Sequence, residues 1–398
     1  MNNMLIIKNK VDKFFAYILL LFSYLTPRFR GIWVYGSNMG FAGNAKYLFI
    51  HTSTKNEVKS IWIGNKDEVE LIRNKGLLAY PKYSISGIIY ALIAGVYIYN
   101  SYVSDINLYT FGFAKRINLW HGIGIKNCER KITTGPLAEI FKTKNPFIKL
   151  RNLPHFVKPH FFLSTSDQMN NLFKECFGLN DKQFINNMYP RCDIFSFDED
   201  AKYDFILKYE NSETVSFIDE MKHYAYTYLY MPTWRDSGYN FLADFDFEEL
   251  NHLLQKRNEL MLLKLHPVTK MSLDKQYSNI KIINKYIDLN SLMSYTDCLV
   301  TDYSSVYYDY ITIPNKRLIL YIPDYINYTT NDRDLAFDYM ESTEGEFAHN
   351  FKEFLTFIQS RSENTYSYKR ISEIRNRFWG NTIGSDSKDL FNKIKASL

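Results

Sequence analysis

Six residues suited to proton or phosphate chemistry stand just after short apolar runs: His121, Arg235, His266, Asp302, Ser304 and Ser305. In doubly wound α/β sheets, ligands sit beyond the C-terminal ends of the strands, so this placement predicts that all six face one cleft. His121 lies in a turn with Trp120 before it and Gly122 and Gly124 after it. Such a loop brings backbone and imidazole close to a substrate, and a neutral imidazole is a natural general base for a hydroxyl near neutral pH. The alternative is a histidine that hydrogen-bonds within its own loop. His266, held by Pro267 beyond the run Leu260–Leu263, is placed to meet a diphosphate or a leaving phosphate. Lys264 falls on the opposite face if strand alternation persists, which makes it structural. Arg235 offers a planar fork for phosphate, in competition with a salt bridge to the adjacent Asp236. Lys126 offers a point charge of the same sign.

The stretch Cys298–Asp309 carries the densest signal. Leu299-Val300 is a buried strand, and Thr301-Asp302-Tyr303-Ser304-Ser305 is a polar turn leading into an aromatic helix. A helix N-terminus offers unpaired N–H groups, to which Ser304 and Ser305 add hydroxyl donors for an anion. The competing use is a plain N-cap. Asp302 either caps the helix or holds a ribose or an imidazole.

Strand-like runs alternate with helical ones from Gly31 onward, at Ile32–Tyr35, Ser60–Ile63, Val96–Tyr99, Arg116–Trp120 and Phe161–Leu163. A second series runs through Tyr226–Tyr230, Leu260–Leu263, Ile280–Ile283, 297–300 and Arg317–Tyr321. This alternation predicts parallel sheets with helices on both faces. The Gly-rich turn from Gly36 to Asn44 lets backbone approach a ligand, but it lacks a dinucleotide-binding glycine spacing. The polar stretch 196–225 has helical spacing and is the expected link, giving a first half over 31–205 and a second over 206–398.

A chain of 398 residues, 46% hydrophobic and 23% charged, suits two ordinary domains. Its 32 Tyr and 30 Phe imply a large aromatic core and an apolar or carbohydrate-facing surface. A net charge of +5 gives no case for nucleic acid. The four cysteines, at 128, 176, 192 and 298, have no zinc-like spacing and read as reduced thiols. Asp-x-Asp pairs at 198/200, 244/246 and 332/334 sit in charged, surface-like contexts, so neither a metal nor a cofactor is assigned. Residues 1–30 combine the apolar run Phe14–Leu25 with five cations against Asp12. That run is too short to span a bilayer, for which roughly 20 residues are needed, and it suits either an interfacial helix on an anionic membrane or a packed core helix. Residues 126–160 interleave Lys and Arg with Phe141, Phe147, Ile148 and Leu150, as a membrane or lipid-linked acceptor surface would, or as a solvated helix face would.

Four ordered segments then acquire a joint meaning: Trp120-His121-Gly122-Ile123-Gly124-Ile125-Lys126, Tyr230–Asp236, Leu263-Lys264-Leu265-His266-Pro267 and Thr301–Ser305. In this order they resemble the CDP-glycerol glycerophosphotransferase family, which builds teichoic acids and related capsular polyol-phosphate polymers. Tyr189-Pro190-Arg191-Cys192-Asp193 resembles the family's Gly-Tyr-Pro-Arg-Asn-Asp turn, departing from it at Met188 and Cys192. The resemblance implies a GT-B-like fold of two Rossmann-like domains around a cleft, to which the run Phe14–Leu25 adds an N-terminal apolar helix. It implies transfer of glycerol phosphate, or a related polyol phosphate, from a CDP-polyol to a hydroxyl of a lipid-linked or saccharide acceptor, with CMP released. His121 is then the base and His266 acts on the donor phosphates. Gly122, Lys126, Arg235, Asp302, Ser304 and Ser305 are the substrate contacts, with Ser304 and Ser305 on the diphosphate. The implied place is the cytoplasmic face of the cell membrane, held peripherally. Rival readings are a glycosyltransferase using a nucleotide sugar, a nucleotide-sugar epimerase, and a non-catalytic membrane scaffold.

Overall fold

The computed structural model describes residues 15–133, 135–235, 237, 238, 240, 242, 245–265, 275–284, 287–360 and 366–398. The first seven strands are β1 (Phe29–Gly36), β2 (Lys59–Gly64), β3 (Ala79–Pro81), β4 (Ala94–Tyr99), β5 (Lys115–Asn118), β6 (Phe161–Ser164) and β7 (Phe184–Asn186). They form one parallel sheet in the order β3-β2-β1-β4-β5-β6-β7. The next six are β8 (Tyr226–Met231), β9 (Glu259–Leu263), β10 (Ile280–Ile282), β11 (Cys298–Thr301), β12 (Arg317–Tyr321) and β13 (Glu346–Ala348). They form a second parallel sheet in the order β10-β9-β8-β11-β12-β13.

Both orders reverse direction after the third strand in space, between β1 and β4 and between β8 and β11. Each sheet therefore has a switch point, where crossovers leave to opposite sides and a crevice opens. The strands there read as unbroken apolar runs because helices cover both faces. All six residues of β4 and all four of β11 are buried. Register at the second switch point sets Val300 against Tyr230 on one side and Ile319 on the other.

Two helices, Glu199–Tyr209 and Ser212–Met221, join the sheets, and each starts on a capping side chain, Asp198 and Asn211. At the far end the chain crosses back. The helix Tyr368–Trp379 is tied to the second half by Trp379 Nε1 donating to the Tyr308 carbonyl at 2.9 Å. It is tied to the first half by Thr165 Oγ1 donating to the Phe378 carbonyl at 2.6 Å. The final helix, Ser387–Ala396, lies on the first half, with the Phe391 ring 5.3 Å from that of Trp33. Burying an aromatic side chain of this size is worth about 1.5–3 kcal/mol.

A buried ion cluster also crosses the junction. Lys46 of the helix Gly43–Ser53 is 1% exposed. Its Nζ lies 2.5 Å from Glu210 of the linking segment and 2.9 Å from Asp288 of the second half. Residues 15–23 are helical, and no helix among the described residues is long and apolar enough to cross a membrane. Tyr24 and Leu25 turn out of this helix, and the part of the expected N-terminal apolar helix before residue 15 lies outside the described residues.

Candidate functional site

His121 owes its place to three buried asparagines. Asn118, the last residue of β5, accepts from the Trp120 N–H and donates to the Ser101 carbonyl, both at 2.8 Å. Asn44 donates to the carbonyls of Leu119 and Trp120 at 3.1 and 2.9 Å. Asn100, just beyond β4, accepts from the Ala45 N–H at 2.9 Å and donates to the Ala42 carbonyl at 3.1 Å. An irregular loop below the surface needs such partners, because buried backbone groups left unpaired are costly. The framework holds Trp120 at φ 52° and Gly122 at φ 146°. The left-handed tryptophan costs about 1–3 kcal/mol, offset by its ring packing on Phe162 and Phe177 at 5.9 and 4.7 Å.

The His121 ring lies near the Asn100 backbone, and its Nδ1 is 3.4 Å from Ser101 Oγ. Walls packed round the ring, and then the Arg191 guanidinium, lower its pKa from 6.5 to about 4, opposed by the nearby Asn100 backbone. The residue nevertheless keeps a surface exposed to solvent. Water thus tempers the first cause, and the direction toward neutral imidazole is the feature with chemical meaning.

The second sheet meets this loop directly. A Cβ placed on Gly122 would lie 3.2 Å from Ser305 Oγ and 3.1 Å from Arg191 Nη2. Only a glycine at φ 146° admits this approach. Arg191 grips Asp309, one turn beyond Ser305, with Nε to Oδ2 at 2.7 Å and Nη2 to Oδ1 at 3.0 Å. Tyr189, two residues earlier, donates to the Gly122 carbonyl at 3.0 Å. The Tyr189–Arg191 turn therefore fastens the histidine loop to the serine turn. The helix after Ser305 is short, Val306–Tyr310, and Ser305 at its start makes no capping bond with its side chain. Ser304 Oγ accepts from the Val306 N–H at 3.4 Å.

Arg235 and Asp302 do something other than expected. Arg235 is 1% exposed, and its fork closes on Asp324, with Nε to Oδ2 at 2.6 Å and Nη2 to Oδ1 at 2.9 Å. Its Nη1 donates to Asp302 at 2.9 Å. A guanidinium this deep requires counter-charges, since an unpaired buried charge is strongly destabilising. Two carboxylates against one guanidinium leave no surplus positive charge for a phosphate. Asp236, the partner weighed at the sequence level, lies outside the described residues. Asp302 neither caps the helix nor faces the cleft. It is 2% exposed and accepts from the Thr233 N–H at 2.9 and 3.0 Å, joining the ends of β11 and β8 across the switch point.

Lys126 reaches the same region from the first half. Its segment bridges Leu335 in antiparallel fashion, and its Nζ sits 5.4 Å from the Tyr328 ring. That ring stacks on Tyr303 at 3.9 Å and lies 4.8 Å from the Arg235 guanidinium. Lys264 donates to the Asn284 carbonyl, and burial lowers its pKa to about 8. His266 and Pro267 lie outside the described residues. Of the Asp-x-Asp residues, Asp198 and Asp246 cap helices and Asp332 accepts from Ser237, while Asp244 lies outside the described residues.

Sequence reasoning did not assign Asp309 or the three asparagines, and it noted Arg191 only as part of a turn. Asn100 and Asn118 carried a usable signal, since polar amides directly at the ends of apolar strands must be bonding something. Asp309 carried none, because its partner stands 118 residues away in sequence.

Residues 24–395 match the family model described as CDP-glycerol:poly(glycerophosphate) glycerophosphotransferase. The teichoic acid ribitol-phosphate polymerase TarL of Staphylococcus aureus (strain NCTC 8325 / PS 47) is 27% identical over 78% of this chain and 53% of its own length. The teichoic acid glycerol-phosphate primase of Bacillus subtilis (strain 168) is 26% identical over 71% of this chain and 68% of its own. The chain thus spans about half the length of the first of these relatives. The solved structure of the wall teichoic acid polymerase TagF superposes with a TM-score of 0.71 at 19% identity, covering 99% of this chain and 96% of the other. A variant of that polymerase soaked with CDPG gives 0.71 at 20% identity over 93% and 90%. At such identities the likeness establishes a shared α/β fold of two parallel sheets, GT-B-like in arrangement.

Proposed function

The chain belongs to the CDP-glycerol:poly(glycerophosphate) glycerophosphotransferase family, and on that premise we propose that it transfers a polyol phosphate from a CDP-polyol to an acceptor hydroxyl in teichoic acid synthesis. The observation that carries this reading is the close approach of Gly122 to Ser305, with no room between them for a relaxed side chain, which sets a neutral histidine of one sheet beside a hydroxyl-bearing turn of the other.

In this reading the acceptor hydroxyl attacks the phosphorus bearing the polyol. The bond from that phosphorus to the bridging oxygen breaks, CMP leaves, and a phosphodiester forms. His121 takes the hydroxyl proton. Its Nδ1 lies 3.4 Å from Ser101 Oγ, and Nε2 is assigned as the basic nitrogen. Charge grows on the departing CMP phosphate, and donors already aimed there lower the barrier. Ser304, Ser305, Lys126 and His266 are assigned that task. Arg235 and Asp302 keep the turn in shape from beneath. The first half, 31–205, takes the acceptor and the second, 206–398, the nucleotide.

The acceptor is lipid-linked or saccharide, and the working place is an anionic membrane surface. Phe15, Leu21, Leu25, Phe113 and Phe147 are 62–80% exposed. Tyr17 donates to the Leu150 carbonyl at 3.0 Å and the Tyr24 ring lies 5.1 Å from Phe113, so these side chains adjoin on one face. Lys149 and Arg151 share the short helix Pro146–Arg151 with Phe147. Apolar side chains with flanking cations suit insertion at the headgroup boundary.

The test is incubation of the full chain with CDP-glycerol, CDP-ribitol and UDP-sugars against lipid-linked and oligosaccharide acceptors, reading nucleotide release and product mass. CMP release coupled to a product heavier by one polyol phosphate supports the reading. UDP release with sugar transfer refutes it.

A further inference from the structure

We propose that the cavity between the end of β6 and the returning C-terminal helices binds the already polymerised, hydroxyl- and phosphate-bearing part of the acceptor, away from its reacting end. This rests on the transferase reading above. The cavity measures about 470 Å³. Thr165 and Ser166, which follow β6, line it together with Asn376, Arg377, Asn381 and Thr382 of the returning segment.

Three observations point to this occupant. The first is position. The cavity opens at the C-terminal ends of β6 and β7, the edge from which His121 leaves the neighbouring β5. Adjacent strands are about 4.8 Å apart, so the site lies on the order of 5–10 Å along that edge. Behind the lining residue Gly380, the Trp379 ring packs 5.5 Å from Tyr189, which donates to the Gly122 carbonyl of the histidine loop.

The second observation is chemistry. Hydroxyls and amides dominate the lining, which suits a run of polyol hydroxyls and excludes an acyl chain. Two cations, Arg377 and Lys393, stand against the single carboxylate of Asp167. Arg377 uses Nε on Gln168 at 2.7 Å, and Lys393 donates to the Asn186 carbonyl at 2.8 Å and to Asn187 Oδ1 at 2.9 Å. Both retain further donors for phosphate oxygens. The third is an unspent group: the Nε2 of the lining residue Gln168 is buried without a partner.

The experiment uses the full chain with both Asn376→Asp and Asn381→Asp, which adds negative charge to the lining while nearly preserving shape. KM should rise about tenfold or more for an acceptor with several polyol-phosphate units, the scale of one or two lost charge-assisted contacts. KM for a single-unit acceptor and for the CDP-polyol should stay unchanged. An equal change for both acceptors, or none for either, overturns the proposal. Calorimetry with oligo(glycerol phosphate) and no donor gives an independent arm. Wild-type chain should bind it and the double variant should bind it at least about tenfold more weakly, whereas equal binding or none to wild type overturns the proposal. If wild type releases no CMP with any acceptor, the transferase reading fails by itself, and the calorimetric arm still decides the cavity.

Discussion

A neutral imidazole at His121 gives the pH dependence its sign. Lowering the pKa keeps the basic form present at more acidic pH, so kcat/KM should hold level from pH 8 to well below 6.5, and then fall as the ring protonates. His121→Ala should remove most of kcat, on the order of 10²–10⁴-fold, with donor affinity by calorimetry nearly intact. Arg191 supplies part of the displacement. Replacing it together with its partner, as Arg191→Met with Asp309→Leu, should raise the His121 pKa and carry the acidic limb of the pH–rate profile upward. Either change alone leaves a buried charge unpaired, and denaturant titration should show a loss of about 3–5 kcal/mol. Of these residues only His121 was legible in the sequence as chemistry. Asp309 reads there as one more polar residue in an aromatic helix, because a pair separated by 118 positions has no local signature.

At the scale of elements, the β5 loop and the β11 turn meet through a residue without a side chain. Gly122→Ala would press a methyl group against Ser305 and Arg191 in a backbone region that suits glycine. Activity should fall by at least about tenfold at a thermal midpoint within a few degrees of wild type, since the strain is local. An unchanged kcat would mean that the two elements need not approach so closely. Most strands were legible, because parallel strands buried on both faces read as apolar runs bounded by polar turns. The strands β3, β7 and β13 escaped notice. Each is three residues long and lacks the paired isoleucines that mark the equally short β10. Arg235 misled for a different reason. Its type and place after β8 suit a phosphate ligand, but the aspartates that neutralise it follow β11 and β12, and sequence spacing does not reveal which strand ends are neighbours.

At the scale of the molecule, the halves are joined by charge as well as by apolar contact. Lys46→Met would leave Glu210 and Asp288 facing each other below the surface. A destabilisation of about 3–5 kcal/mol is expected, read by denaturant unfolding, and a loss under about 1 kcal/mol would show that the cluster is dispensable. The returning C-terminal helix, which puts Phe391 on Trp33, bears on how the protein is made. A ribosome adds roughly 5–20 residues per second, and an N-terminal domain ordinarily folds while the rest is still being synthesised. Here a surface beside β1 waits for a residue that emerges on the order of 20–70 s later at that pace. The first half thus spends that interval with an apolar seam uncovered, and a nascent chain stalled before Ser387 should be a preferred client of ribosome-associated chaperones.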